Sequence, residues 1–271
     1  MSALVAATLG VAVVAAGRGI WSPCGLSMVS AINPMAERAR GYRYWLTAVW
    51  FIAGSLAGSA AIGLPAAVGA LGLRALGLDE PARMMLVGLI AILTLAAEVR
   101  LFGLGLPRHP RQVNELWLMQ YRRWVYSAGF GVQIGSGFAT YIMTTANYLL
   151  LGLTLVSGRP GLALAGWLAF GLVRGLAVLL SLRCRSAARL AALHRRLAGW
   201  DGAAGAVARW SQAIVAGLAG FVLAGPVAAL AGMVLSSLIL RVGRIRQRRG
   251  DSRAVSGEVM TPDRSQAALA G

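Results

Sequence analysis

The chain has no lysine and only nine acidic residues against 26 arginines, a formal charge of +17 over 271 residues. Without lysine there is no nucleotide-binding loop ending in Gly-Lys-Ser/Thr, and no G-x-S-x-G or H-E-x-x-H pattern occurs. Two cysteines, Cys24 and Cys184, are too few for a disulfide framework. Two histidines, His109 and His194, lie in arginine-rich segments, so no His/Cys metal site is expected. No motif implies a cofactor. The first apolar run has no positive residue before it, which argues against a secretory signal and for a retained first span. Charged residues are only 13% of the chain, about half the share in an ordinary soluble domain. That scarcity excludes a soluble globular enzyme.

What the chain does have is apolar length. Apolar residues make up 58% and mean hydropathy is +0.68. A bilayer core needs about 20 apolar residues per helix, and six stretches approach this. They run from about Leu4 to Ile32, Tyr44 to Leu73, Met84 to Leu106, Trp124 to Val156, Gly161 to Leu182, and Val207 to Leu240. The arginines cluster between these runs, which fits membrane orientation and not a nucleic-acid partner. With the N-terminus outside, five loops obey the positive-inside rule. The tail with Arg241, Arg244, Arg246, Arg248 and Arg249 obeys it only if Val207 to Leu240 forms a hairpin at Gly225-Pro226, so the tail is expected in the cytoplasm. Orientation is the plainest role for these loops. The segment from Arg183 to Arg209 is expected to be partly an interfacial helix.

The expected fold is therefore all-α, a polytopic membrane helix bundle of six spans, or seven with the hairpin. Each half of the chain opens with a broken, Gly/Ser-rich helix. This predicts two inverted three-helix repeats, residues 1–123 and 124–240, followed by a basic disordered tail at 241–271. The bilayer is the one partner the composition demands, in a multi-pass cell-membrane protein.

Ser22-Pro23-Cys24-Gly25 should break the first helix. Broken backbone at membrane depth survives only against protein or water, so Cys24 should line a crevice. Its small apolar side chain is equally suited to packing beside a kink. Ser27, Ser30 and Asn33 follow Cys24 at intervals of three. In the fourth span Gln133, Ser136, Thr140, Thr144 and Asn147 are spaced to share one helical face. They would line a solute pathway or glue helices together. Glu98 and Arg174 are the charges expected inside spans, and the cost of isolated charge predicts that they pair. Gly54/Gly58, Gly131/Gly135 and Gly171/Gly175 predict close helix contact.

The helix broken at Ser22-Pro23-Cys24, the basic first loop and the Gly-rich opening of the second half resemble the cytochrome c biogenesis and thiol–disulfide transmembrane transporter family, the CcdA and DsbD membrane domains. The resemblance implies two inverted three-helix repeats and thiol–disulfide exchange, with electrons passed from a thioredoxin-like partner. It implies Cys24 as the helix 1 redox thiol. The matching helix 4 position falls on Ser136, so a partner protein would have to supply the second thiol. Flanking arginines are expected to lower the Cys184 pKa, although Cys184 is expected too distant for a disulfide with Cys24.

Two rivals stand beside this reading. One is a small-solute or ion transporter with a central site formed by Ser22, Pro23, Ser27, Ser30 and Asn33 facing Gln133, Ser136, Thr140, Thr144 and Asn147. The other is a non-transporting membrane subunit that docks others through its arginine-rich loops. In every version the chain is transporter-like more than enzymatic.

Overall fold

Along one long helix the small residues face inward, together with Tyr44 and Phe51, and most large apolar residues face outward. In a computed structural model describing residues 2–101 and 117–258, helix α4 (Tyr44–Ala75) buries Gly54, Ser55, Gly58, Ser59, Gly63, Ala66 and Ala70. The same helix exposes Trp45, Val49, Leu64 and Val68. This is the packing of helices in lipid, where close backbone contact drives association and the outer face needs no water. Every described element is helical, and five helices are long and apolar enough to cross a membrane.

The chain opens with α1 (Ser2–Arg18), a 3-10 turn at Gly19–Trp21, α2 (Pro23–Ala31) and α3 (Pro34–Ala39). After α4 comes α5 (Glu80–Glu98), started by Asp79, whose side chain accepts from the Ala82 amide. The fourth stretch is broken, as expected for the helix that opens the second half. In place of one helix there are two, α7 (Arg123–Ser136) and α8 (Ala146–Val156), preceded by a short α6 (Trp117–Gln120). At 1.5 Å per residue they reach about 21 and 17 Å, so neither alone spans a core of about 30 Å. The intervening chain carries buried Thr140, Thr144 and Thr145, as broken backbone in a membrane must be. Helix α9 (Pro160–Leu176) follows and tightens into a 3-10 turn at Ala177–Arg183.

Helical residues then run from Ala187 to Glu258, designated α10. This run is not straight. Gly225 has φ +74°, the left-handed conformation that reverses a chain. A side chain at Gly232 would lie 3.4 Å from the Ala216 carbonyl oxygen, whereas sixteen residues of straight helix span about 24 Å. Ala213 and Ile239 likewise pack in one cluster with Leu95. The expected hairpin at Gly225-Pro226 is therefore present, and the chain after it returns to the end of the bundle it left. Helix extends to Glu258, into the segment expected to lack structure. The expected end of the third stretch, most of the basic loop from Pro107 with His109, and residues 259–271 lie outside the described residues.

The three glycine pairs meet in one seam. Cβ atoms at Gly54 and Gly58 would strike the Ala128 and Val132 carbonyls of α7, and at Gly131 and Gly135 the Phe51 and Ser55 carbonyls of α4. Gly171 and Gly175 of α9 lie against Ser55, Ser59 and Ile52 on α4. Ser55 adds a hydroxyl donated to the Gly171 carbonyl at 2.7 Å. Helices α4, α7 and α9 thus form the rigid centre around which the breaks are arranged.

Candidate functional site

The break after α1 is explained by its own residues. Pro23 occupies the first turn of α2, where a missing amide hydrogen costs nothing. Ser22 is the N-cap, accepting from the Gly25 amide at 3.0 Å and donating to the Gly19 carbonyl at 2.7 Å. A side chain at Gly25 would strike the Ile20 carbonyl, so glycine is required there. Ser-Pro-Cys-Gly is therefore a helix start. Cys24 lies in its first turn, 1% exposed among Met28, Val29 and Ile134.

Arg174 joins the two breaks. Its guanidinium fills the space that a side chain at Gly19 would need. Its Nε donates to the Ile134 carbonyl at 3.2 Å, near the end of α7, and it packs 5.9 Å from the Phe170 ring centre. Glu98 sits elsewhere. Its Oε2 accepts from the Thr145 amide at 2.6 Å and from the Thr145 hydroxyl at 2.9 Å, at the N-cap of α8. The expected Glu98–Arg174 pair is not formed. The ion pairs among the described residues are Arg18–Asp201 and Arg40–Glu37.

The physical reason is that a broken helix has charged ends of its own. The C-terminal end of α7 presents carbonyls and a partial negative charge, and the N-terminal end of α8 presents amides and a partial positive charge. Arg174 from α9 answers the first and Glu98 from α5 the second.

The polar positions of the fourth stretch do not share a helical face, because residues 137–145 are not helical. Ser136 donates to the Gln133 carbonyl and accepts from the Ala139 amide. Thr144 accepts from the Ala146 amide, and Asn147 donates to the Gly137 carbonyl at 2.8 Å. Gly137 itself is left-handed, with φ +71°. On the first segment Asn33 caps α3 through the Ala36 amide, and Ser30 lies 3.2 Å from His194 on α10. Most of the polar side chains proposed for a pathway therefore bond to their own local backbone. Thr140 Oγ1, Asn147 Oδ1 and Trp167 Nε1 are buried without a hydrogen-bond partner among the described residues.

One constellation was not anticipated. Glu37, fully buried on α3, accepts from Tyr126 Oη at 3.0 Å, from the Thr47 hydroxyl and from Arg40 at 2.8 Å. Arg40 also donates to the Ala31 carbonyl at 2.9 Å. This network ties α2 and α3 to α4 and α7. In the sequence Glu37 reads as one acid diluting a basic loop. Its i, i+3 spacing to Arg40 was the available signal.

Cys24 and Cys184 form no disulfide. Burial pushes the Cys184 thiol pKa up, opposed by Arg189, so the expected lowering by flanking Arg183 and Arg185 is not met.

Comparison with known proteins brings in relatives that are methylamine utilization proteins named MauF. The chain is 31% identical to that of Paracoccus versutus over 187 residues, 67% of each chain. The chain belongs to the MauF family. To the Paracoccus denitrificans MauF it is 29% identical over 64% of this chain and 62% of the relative. To that of Methylophilus methylotrophus it is 28% identical over 58% of this chain and 56% of the relative. These last two matches span less than two thirds of the MauF proteins concerned. No protein-family model matches the chain, and no solved structure matches it.

Membership of the MauF family overturns the resemblance to CcdA and DsbD thiol–disulfide transporters, and with it the cytochrome c biogenesis role. The solute-transporter and docking-subunit alternatives gain no support from these MauF relatives. The misleading feature was Ser22-Pro23-Cys24. A serine N-cap followed by proline is a general way to restart a helix, and it is not specific to redox proteins.

Proposed function

We propose that this chain is an integral-membrane accessory protein of methylamine utilization. The observation that carries this is the 31% identity to the Paracoccus versutus MauF over 67% of each chain. A membrane setting is supported by five helices of spanning length and by the inward small residues of α4.

The crossings number seven. Helices α1 and α2 make a first, broken crossing, and α4 and α5 make two more. Helices α7 and α8 make the fourth, again broken, and α9 the fifth. Helix α10 supplies two, out to Gly225 and back. An odd number carries an outside N-terminus to a cytoplasmic C-terminus. All the arginine-rich segments then share the cytoplasmic end, and only Arg74, Arg83 and Arg159 mark the outer one. Broken crossings open both sets, with three crossings in 1–123 and four in 124–240; the first three of each favour an inverted relation between the sets, and the return of α10 after Gly225 is the added seventh.

The test is an in-frame deletion in the host, grown on methylamine or on ammonium as nitrogen source. Loss of growth on methylamine alone, restored by the gene on a plasmid, is the expected result. Equal growth of deletion and parent on methylamine refutes the proposal.

A further inference from the structure

Where α9 ends and α10 begins, the chain forms a groove of about 360 Å³ lined by Leu180, Arg183, Cys184, Arg189, Leu193 and Arg196. We propose that this groove binds the phosphodiester headgroup of an anionic phospholipid.

The sequence arranges it simply. Arg189, Leu193 and Arg196 stand at i, i+4 and i+7 on α10, so they share a face. Arg183 closes the 3-10 turn opposite them. Among the described residues none of the three arginines pairs with a carboxylate, since the ion pairs there use Arg18, Arg40, Asp201 and Glu37. Arg189 reaches only the Arg183 carbonyl, at 3.5 Å. Arg183, Arg189 and Arg196 border one groove, and a phosphate there would supply them with a counter-charge and accept bidentate hydrogen bonds. The first turn of α10 adds the positive end of a helix, with Ser186 accepting from the Arg189 amide.

Two features favour a lipid over a free phosphate. Leu180 and Leu193 give the groove apolar walls for the glycerol and upper acyl carbons. Arg183 is also the last residue of an apolar stretch, Pro160–Arg183, long enough to cross a bilayer. That is the depth at which headgroups lie, and basic pockets at this level between membrane helices suit anionic head groups.

The test uses the purified full chain in a phosphate-free neutral detergent, with phosphatidylglycerol, phosphatidylcholine and inorganic phosphate as separate probes. Native mass spectrometry counts retained lipid. With Cys24→Ser, the rate of maleimide labelling at Cys184 reports occupancy of the groove itself. Phosphatidylglycerol is expected to be retained at least about tenfold better than phosphatidylcholine and to slow Cys184 labelling. The triple substitution Arg183→Gln, Arg189→Gln, Arg196→Gln should abolish the preference. Arg74→Gln, Arg83→Gln, Arg159→Gln, at the other end of the bundle, should keep it. Equal retention of both lipids overturns the proposal, as does a preference that survives the first triple substitution. Protection of Cys184 by millimolar inorganic phosphate equal to that by phosphatidylglycerol assigns the groove to free phosphate and overturns the lipid.

Discussion

Glu98 and Arg174 provide the sharpest test of how this bundle handles charge. If they neutralise the two ends of the α7–α8 break separately, they should not be coupled. Arg174→Gln removes a charged donor to the Ile134 carbonyl at 3.2 Å, a bond worth about 1.5–3 kcal/mol. The Gly137 amide still reaches that carbonyl at 3.3 Å, so the lower half of the range is expected. Glu98→Gln keeps an oxygen for the Thr145 amide and loses only the charge at the start of α8. That should cost about 1 kcal/mol, within the range for a charge at a helix end. Additivity of the double variant should hold to about 0.5 kcal/mol, as for sites without shared partners. A direct ion pair at 4 Å would interact by about 4 kcal/mol at an effective dielectric of 20. The two cases are thus well separated. The assay is reversible unfolding in mixed dodecyl maltoside and SDS micelles, followed by fluorescence of the eight tryptophans. A coupling energy above about 1 kcal/mol would refute the assignment of each charge to its own helix end.

The glycine seam predicts a contrast. Gly131→Ala meets the Phe51 carbonyl and should destabilise by about 1–3 kcal/mol in the same unfolding assay. Gly10→Ala, with open space around it, should be neutral or stabilise by up to about 1 kcal/mol through helix propensity. Tyr126→Phe removes the hydroxyl that donates to buried Glu37 at 3.0 Å and should cost about 1.5–3 kcal/mol. Ser22→Ala removes the cap of α2 and should cost about 1 kcal/mol, a loss that a capping serine explains and a redox motif does not. For the hairpin, a green fluorescent protein fused after residue 258 should fluoresce, and deletion of residues 226–240 should abolish that signal by sending the fusion outside.

Much of this architecture was legible in the chain, and the failures share a cause. The break at Ser22-Pro23 and the reversal at Gly225-Pro226 each carry proline and glycine, residues that change the backbone directly. Residues 137–145 carry no proline, and their mixture of Phe138, Ile142 and threonines continues an apolar run. The glycine-rich pattern showed that the helix would break, with Gly137 left-handed at its end, but not how far the break extends, because its ends are held by Glu98 and Arg174 from other helices. The expected Glu98–Arg174 pair rested on the cost of burying charge and overlooked the partial charges of helix ends. Glu37 was missed because its partners Thr47 and Tyr126 come from two other helices.

The polar inventory of the interior is largely committed to holding backbone ends. Ser22, Asn33, Ser136 and Thr144 each accept from a nearby backbone amide, and buried Arg174 and half-buried Glu98 are matched at the breaks by backbone groups of α7 and α8. Groups fixed this way cannot also exchange partners with a passing solute without exposing a helix end, at about 1–3 kcal/mol per orphaned group. The breaks are therefore better suited to fixing the shape of a bundle than to opening a path through it. Arg183, Arg189 and Arg196, which form no ion pair among the described residues, line a groove at the rim of the bundle where α9 meets α10. A protein with a committed interior and an open, positively charged rim meets its surroundings through lipid or partner contacts at its surface. That arrangement suits an accessory component fixed in the membrane.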